Sequence, residues 1–205
     1  MNIVGGGRVE SSMVILRRAK LSDLNFLVWI DREDEGVSSS QLIGQSDADL
    51  ERHRRKIREF IDDDDKVAFV LVDESSQERV GGVLGRFRDR LKESFASWSV
   101  FGEIDKKHFA GDGRFCEVFQ LWVHRDYRRR GLATRLKTKL EEESLARGIG
   151  TMYTHTEEEN AHVIALNLKL GYFEVRRGPM WDEIPRVSLI KHLEHDSSNR
   201  RGRAI

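Results

Sequence analysis

The chain has little of several residue types that would fix its class at once. Its 205 residues include two prolines and a single cysteine, Cys116, which excludes an internal disulfide. No Cys/His cluster has the spacing of a zinc site, so we expect no bound metal. No apolar run approaches the roughly 20 residues of a membrane helix, and no hydrophobic signal segment opens the chain. We therefore expect a cytoplasmic protein without a membrane contact.

An excess of charge of one sign is also missing. Lys and Arg together number 35, and Asp and Glu together number 35, so the formal net charge is zero. This balance argues against bulk electrostatic binding to nucleic acid or membranes. The length suits one domain, which we place at residues 13–195. The Gly-rich residues 1–12 and the polar, basic residues 196–205 are predicted to be flexible tails.

Apolar patterning predicts strands and helices along the chain. In the first half we expect a short strand at 14–17, two helices, and a hairpin of strands at 67–73 and 80–87. Glycines in the second hairpin strand indicate bulging or close backbone contact. Residues 88–114 hold four aromatic side chains among charges and are predicted to be an insertion. It is either a loop that packs these aromatics onto the body, which we favour, or a substrate lid.

The most informative segment joins a predicted strand directly to a predicted helix. Residues 115–123 are apolar and β-forming, whereas Leu132, Leu136 and Leu140 recur at helical spacing. The first N–H groups of such a helix are unpaired, and its dipole adds partial positive charge there, so the turn suits a phosphate. Gly131 lets the backbone approach the ligand closely, and the arginines at 128–130 supply countercharge.

A second pattern lies about thirty residues downstream. Asn160 precedes an apolar helical stretch that ends in Leu-Gly-Tyr around Gly171. Thr156 and Glu159 have the spacing of a capping box that would begin this helix, and Gly171 suits a left-handed stop at its end. Strands are predicted on either side of it, at 151–155, 173–177 and 186–192.

Together, the two patterns resemble the GNAT superfamily of N-acetyltransferases, specifically over residues 115–175. The resemblance implies an α/β fold: a mixed, mostly antiparallel central sheet with splayed fourth and fifth strands, flanked by helices. It implies acetyl-CoA as the acyl donor, with the diphosphate at the basic turn and the pantetheine arm along the end of the fourth strand. The cofactor-binding residues that it implies are Leu121, Trp122, Val123, Arg128, Arg129, Arg130, Gly131, Leu132, Ala133, Thr134 and Asn160.

The end of the fourth strand carries a further implication. In the family that the chain resembles, the last backbone groups of this strand pair with the cofactor, which implies that the Val123 N–H stabilises the oxyanion. A plain buried strand would explain the side chains equally well.

Glu117 is the candidate general base. Strand alternation predicts that Glu117, Phe119, Leu121 and Val123 share one face, with Cys116 on the other as a small buried apolar residue. A carboxylate among apolar neighbours is costly unless it is paired or useful. Some members of the family that the chain resembles use a glutamate at this position as the base. The alternative is a structural ion pair with one of the arginines.

Asn167 is the second candidate for a catalytic role. It lies seven residues after Asn160, so the two fall nearly on one helical line. The resemblance implies that Asn160 bonds the pantetheine arm, and that Asn167 stands where many members have the tyrosine that protonates the CoA thiolate. Asparagine cannot donate a proton in net transfer, but it can hydrogen-bond the sulfur while water protonates it. The alternative is a solvent-facing helix residue.

The acceptor side is less defined by the sequence. Of the histidines only His155, at a strand end near the expected groove, is kept as a reserve for catalysis. Trp181, Asp182 and Glu183 lie in a late loop where acids would suit a cationic amine, although an ordinary charged loop explains them too.

Three functions are therefore weighed. The favoured one is an N-acetyltransferase that moves an acetyl group from acetyl-CoA to a primary amine by direct attack in a ternary complex. Asn167 prompts the second, a catalytically silent acyl-CoA-binding regulatory module. Tyr127 among the arginines at 125 and 128–130 prompts the third, a nucleic-acid-binding protein, which composition disfavours. The acceptor, a small-molecule amine or a peptide or protein amine, stays open, as does a homodimer.

Overall fold

A computed structural model describes residues 13–34, 47–91, 103–109 and 111–194. Its centre is a seven-stranded sheet with the strand order β1-β2-β3-β4-β5-β7-β6. Neighbouring strands run antiparallel except β4 and β5, which are parallel. The strands are β1 Val14–Arg18, β2 Lys66–Asp73, β3 Arg79–Asp89, β4 Arg114–Val123, β5 Thr151–Glu157, β6 Phe173–Pro179 and β7 Pro185–His192. This is the mixed, mostly antiparallel sheet that the sequence predicts.

Four α-helices of the described residues cover the two faces of the sheet. They are α1 Leu24–Asp34, α2 Asp47–Asp62, α3 Leu132–Ala146 and α4 Ala161–Lys169. None of the helices in this part of the chain combines the length and the apolar character that crossing a membrane requires.

Strand β2 shows how the sheet is held between these helices. Ala68 and Val70 pack into a cluster with α1 and α2, whereas Phe69 and Leu71 pack into a cluster with α3. Because both faces are covered, β2 is apolar without alternation from Val67 to Val72. Glycines in β3 allow α3 to approach closely: a Cβ at Gly85 would lie 2.5 Å from Leu140 Cδ1. The close backbone contact expected there is confirmed.

A third cluster of buried apolar side chains packs on the sheet near the predicted insertion. Phe109 packs edge-on against Phe115 of β4, and Phe115 packs against Tyr153 of β5. The insertion is shorter than predicted, because Arg88 and Asp89 extend β3 and Arg114 begins β4. The prediction that its aromatics pack onto the body is thus met by Phe109. The other three, Phe95, Trp98 and Phe101, lie outside the described residues, as do the predicted tails.

The boundary between β5 and α4 corrects one expectation. Thr156 does not cap α4, because it lies within β5, which pairs with β7 as far as Glu157. Helix α4 begins at Ala161 with Asn160 at its N-cap. Residues 156 and 157 pair with β7 in the sheet, and this strand pairing outweighs the local capping signal. The predicted stop at Gly171 is confirmed by its φ of +85°.

Candidate active site

The parallel strands β4 and β5 diverge in the middle of the sheet. They pair only at Cys116–Met152 and Glu117–Tyr153, although β4 continues to Val123. Beyond Glu117, β4 stays paired with β3 and β5 stays paired with β7, so a wedge opens between the two parallel strands. We call this the cleft, and the splayed fourth and fifth strands expected from the sequence are confirmed by it.

Backbone groups at the end of β4 face the cleft. The N–H of His124 donates to Val80 O of the β3 side at 2.9 Å. Because successive N–H groups of a strand point to opposite neighbours, the N–H groups of Val123 and Leu121 point toward β5. The Leu121 N–H donates to Gln120 Oε1 at 2.8 Å. The Gln120 side chain thus already accepts the hydrogen bond of this N–H, a contact that no sequence pattern indicates.

A bulge in β4 corrects the predicted faces of the strand. Leu84 pairs with Gln120 and Gly85 pairs with Val118, which leaves Phe119 as an extra residue. Glu117 and Phe119 therefore lie toward α1 and α2, whereas Leu121 and Val123 lie with Cys116 toward α3. The expectation that Glu117, Phe119, Leu121 and Val123 share one face is wrong, because the bulge shifts the alternation by one residue.

The turn between β4 and α3 is open at its glycine. A short 3-10 turn, Arg125–Tyr127, leads to Gly131, which is the N-cap of α3 with a φ of +77°. Within the described residues, apart from Gly131 itself and its two chain neighbours, no heavy atom lies within 4 Å of the position that a Cβ at Gly131 would take. The first N–H groups of α3 thus begin beside the wide end of the cleft, as an anion site requires.

The arginines of this turn have different environments. Arg128 Nε donates to Val123 O at 3.0 Å and so ties the turn to the last residue of β4. Arg130 lies over the Tyr127 ring, 5.2 Å from its centroid, and the Tyr127 hydroxyl donates to Asp73 Oδ2 at 2.6 Å. Arg129 is exposed and adopts a φ of +64°. Two of the arginines that were expected to bind phosphate, Arg128 and Arg130, therefore also make contacts within the turn.

Glu117 is buried and paired. Its Oε2 accepts a hydrogen bond from Arg88 Nη1 at 2.9 Å and lies 3.8 Å from Arg86 Nη1. The Arg86 guanidinium stacks on Phe119, 3.8 Å from the ring centroid, and burial lowers its pKa. The ion pair that sequence reasoning kept as the alternative to a general base is thus present in the structure.

His155 lies on the same side of the cleft as Glu117. Its Nδ1 is buried and has no hydrogen-bond partner among the described residues. Burial is the main reason that the pKa of this imidazole is lowered, opposed by the negative charge of Glu117. The Trp181 ring packs edge-on against it at 5.2 Å. A strand-end histidine was the only sequence signal for this group.

The late loop is less acidic than its sequence indicates. Asp182 Oδ2 accepts from Arg186 at 3.0 Å, and the Arg186 guanidinium also lies over Trp181, 4.3 Å from the ring centroid. The pKa of Asp182 is lowered by this hydrogen bond. Glu183 and Trp181 are exposed. One of the two acids predicted to meet a cationic amine is therefore already paired.

Asn160 and Asn167 differ in their surroundings. Asn160 is half-buried at the start of α4, and its Nδ2 donates to Thr156 Oγ1 at 3.4 Å. Asn167 is only 2% exposed, so the alternative of a solvent-facing residue is wrong. Its Oδ1 accepts from Lys137 Nζ, and its Nδ2 donates to Val163 O at 3.0 Å. Lys137 was missed because a lysine beside a leucine stripe is normally a solvated flank.

The predicted site residues thus collect around the cleft on two sides of the sheet. Toward α3 and α4 lie the open turn at Gly131, Asn160 and Asn167, and toward the late loop lie Glu117 and His155. Cys116 is buried, as expected, and burial raises the pKa of its thiol. Within the described residues, no group of three or more His, Cys, Asp or Glu side chains could hold a metal ion.

Parallel strands that diverge beside the open N-terminus of a helix are the arrangement of the GNAT fold. The chain belongs to the acetyltransferase (GNAT) family, whose model matches residues 27–172. Among curated proteins it is 38% identical over 74 residues to an acetyltransferase of Pectobacterium atrosepticum, covering 36% of this chain and 52% of that protein. It is 39% identical over 81 residues to an acetyltransferase of Yersinia pestis, covering 39% and 57%.

The chain thus matches a little over half the length of these curated relatives. Among solved structures, it is similar to Arabidopsis thaliana NAA60 in complex with a bisubstrate analogue, with a TM-score of 0.66 at 18% identity over 89% of this chain and 99% of that one. The ribosomal-protein-S18-alanine N-acetyltransferase of Escherichia coli gives a TM-score of 0.59 at 16% identity, over 91% and 98%. At these identities the likeness concerns the fold.

Proposed function

We propose that the protein is an N-acetyltransferase that moves an acetyl group from acetyl-CoA to a primary amine by direct attack in a ternary complex. The observation that carries this proposal is the cleft between β4 and β5, which opens beside the uncovered N-terminus of α3 at Gly131. Family membership supports acetyl transfer, and amines appear as substrates in the names of structural neighbours, including a spermidine N-acetyltransferase.

The donor occupies the wide end of the cleft in this proposal. The diphosphate sits on the first N–H groups of α3, at Leu132, Ala133 and Thr134, with Arg129 and Arg130 as countercharge. The pantetheine arm runs along Leu121, Trp122 and Val123, which β5 leaves unpaired, and reaches Asn160 on the other side. To use the Leu121 N–H, the arm must displace the Gln120 amide that now accepts from it.

The thioester carbonyl meets the Val123 N–H in this arrangement. A backbone donor fixed in a strand stabilises the negative charge that develops on the carbonyl oxygen, without reorganising during the reaction. Arg128 supports that geometry, because its guanidinium holds the Val123 carbonyl from the turn.

The acceptor amine approaches from the side of Glu117 and His155. Glu117 already shares its charge with Arg88 and Arg86, whereas the half-buried His155 ring has a buried Nδ1 without a hydrogen-bond partner among the described residues. Because its pKa is lowered, the imidazole is neutral at pH 7, the form that accepts a proton. We therefore assign the amine proton to His155, with Glu117 as the alternative base.

The test is release of CoA thiol from acetyl-CoA with a panel of amines: a polyamine, amino acids, and peptides that offer either an α-amine or a lysine. The proposal expects turnover with at least one class and a sequential kinetic pattern. Tight binding of CoA without thiol release on any amine would favour the silent regulatory module instead.

A further inference from the structure

A tyrosine fastens residues 124–131, which we call the phosphate turn, to a distant hairpin. Tyr127 is half-buried, and its hydroxyl donates to Asp73 Oδ2 at 2.6 Å, although the two residues are 54 apart in the sequence. Asp73 is the last residue of β2 and is only 1% exposed. This hydrogen bond raises the pKa of Tyr127, so the phenol keeps its proton and stays a donor at neutral pH.

Asp73 is itself fixed by the turn between β2 and β3. Its Oδ1 accepts from the backbone N–H and the hydroxyl of Ser75, at 2.8 and 2.6 Å, and from the Ser76 N–H at 3.3 Å. Its own backbone N–H donates to Glu78 O at 3.0 Å. One carboxylate oxygen therefore shapes the hairpin while the other receives Tyr127. Because hydrogen bonds to an ionised carboxylate are short and strong, the hydroxyl is bound to a firm anchor.

The ring of Tyr127 contacts the other end of the phosphate turn. The Arg130 guanidinium lies 5.2 Å from the ring centroid, within the range of a cation–π contact. Arg129 has a φ of +64°, a conformation that residues with a side chain adopt only where their surroundings hold it. Its other neighbour, Arg128, is bonded to the end of β4. The strained backbone just before Gly131 is therefore held by contacts on both sides of Arg129.

We propose that Tyr127 is a positioning residue that presets the phosphate turn for the diphosphate of CoA, an inference that rests on the proposed acetyl-CoA site. The hydroxyl fixes the ring on Asp73, and the ring holds the Arg130 guanidinium. The turn then meets the phosphates already in its binding conformation, so little conformational freedom is lost when CoA binds. Tyr127 needs no contact with the reacting atoms for this role.

This role predicts weaker binding with unchanged chemistry. Where only a fraction of the protein has the binding conformation, the apparent Kd rises by the inverse of that fraction. A phosphate turn that is preset about one tenth of the time would bind CoA about tenfold more weakly. Once acetyl-CoA is bound, the Val123 N–H and the acceptor side of the cleft are the same as in the wild type, so kcat should be retained.

Tyr127→Phe tests the role, because it removes the hydroxyl and keeps the ring. Tyr172→Phe is the matched control: the Tyr172 hydroxyl also donates to a carboxylate, Glu141 Oε1 at 3.3 Å, but Glu141 lies in the third turn of α3, beyond the phosphate turn. Calorimetry should show CoA binding about tenfold weaker in Tyr127→Phe and unchanged in Tyr172→Phe. In turnover, Tyr127→Phe should raise the KM for acetyl-CoA by the same factor and leave kcat at the wild-type value.

A double variant assigns the effect to the hydrogen bond. Tyr127→Phe combined with Asp73→Asn should bind CoA no more weakly than the weaker-binding single variant, because both changes act on one contact. Wild-type affinity in a folded Tyr127→Phe, an equal loss in Tyr172→Phe, a fall in kcat with unchanged KM, or additive losses in the double variant would each overturn the proposal.

The same measurements separate this proposal from the proposed activity. A wild type that binds CoA, and loses that affinity in Tyr127→Phe, but shows no turnover would count against acetyl transfer alone. Absence of CoA binding in the wild type would overturn both.

Discussion

Glu117 of β4 and Tyr153 of β5 are the last residues to pair before the two parallel strands diverge. The pair marks the point where a continuous sheet becomes a cleft. His155, the proposed base, follows Tyr153 by two residues, and the buried Lys137 of α3 interacts electrostatically with Cys116 of the neighbouring rung. The following predictions test this arrangement.

Gly131→Val should weaken CoA binding by about tenfold or more, equivalent to about 1.4 kcal/mol, because a branched side chain would fill the open space over the start of α3. Gly148→Val is the matched control. Gly148 also has a positive φ, +71°, and equally open surroundings, but it follows the C-terminal end of α3. Both substitutions strain a left-handed residue by about 1–3 kcal/mol. Calorimetry should show the loss of affinity for Gly131→Val alone; equal affinities would contradict the phosphate site.

Glu117→Gln should lower the free energy of unfolding, because it replaces the buried carboxylate that accepts a hydrogen bond from Arg88 and lies beside Arg86 with a neutral amide. A hydrogen bond to a charged group is worth roughly 1.5–3 kcal/mol, a loss that urea unfolding would detect. The comparison with Arg88→Met separates structure from catalysis. If Glu117 is only structural, Glu117→Gln and Arg88→Met should each lose activity in proportion to their loss of stability. A loss of kcat/KM in Glu117→Gln that is much larger than in Arg88→Met would show that Glu117 is the general base instead of His155.

His155→Gln should lower kcat/KM by about 10²- to 10⁴-fold while leaving CoA affinity unchanged. The pKa of His155 is below its ordinary value, so the wild type should keep the active, neutral imidazole down to more acidic pH than an unperturbed histidine would allow. His192→Gln is the control, because His192 pairs with Thr151 at the far end of β5. A His155→Gln enzyme with wild-type rates and the same acid limb would exclude the assignment.

Lys137→Met should change how stability depends on pH. A lysine whose folded pKa is lowered binds fewer protons folded than unfolded between about pH 7 and its unfolded value, so the wild type gains stability as pH rises through that range. Lys137→Met lacks this contribution. It should be more stable than the wild type at pH 6, and the difference should shrink by pH 10. Urea unfolding at both pH values measures it, and parallel profiles would show that the lysine is not desolvated.

The elements that rest on local signals were predictable from the sequence. The strand before Arg125, the turn at Gly131 and the leucines of α3 lie within one stretch of chain, and the structure has all three. The bulge at Phe119 was not predictable, because it belongs to the register in which β4 pairs with β3, two strands that are distant in the sequence. The predicted cap at Thr156 was wrong for a similar reason, because pairing with β7 determines where β5 ends.

The two sides of the site were predicted unequally. Glu117, Asn160 and Asn167 were found by position in patterns, but Lys137 carries no pattern of its own and is recognised only by its contacts across α3 and α4. The pairing of Asp182 with Arg186 is equally invisible in the sequence, since both look like ordinary charges of a loop and a strand.

The most direct measurement of the central claim is thiol release from acetyl-CoA by the purified protein across the amine panel, with Gly131→Val assayed in parallel. The account predicts amine-dependent release of CoA by the wild type and a strong loss of that release in the variant at low acetyl-CoA concentration. No amine-dependent release from any class, or release that Gly131→Val leaves unchanged, would contradict it.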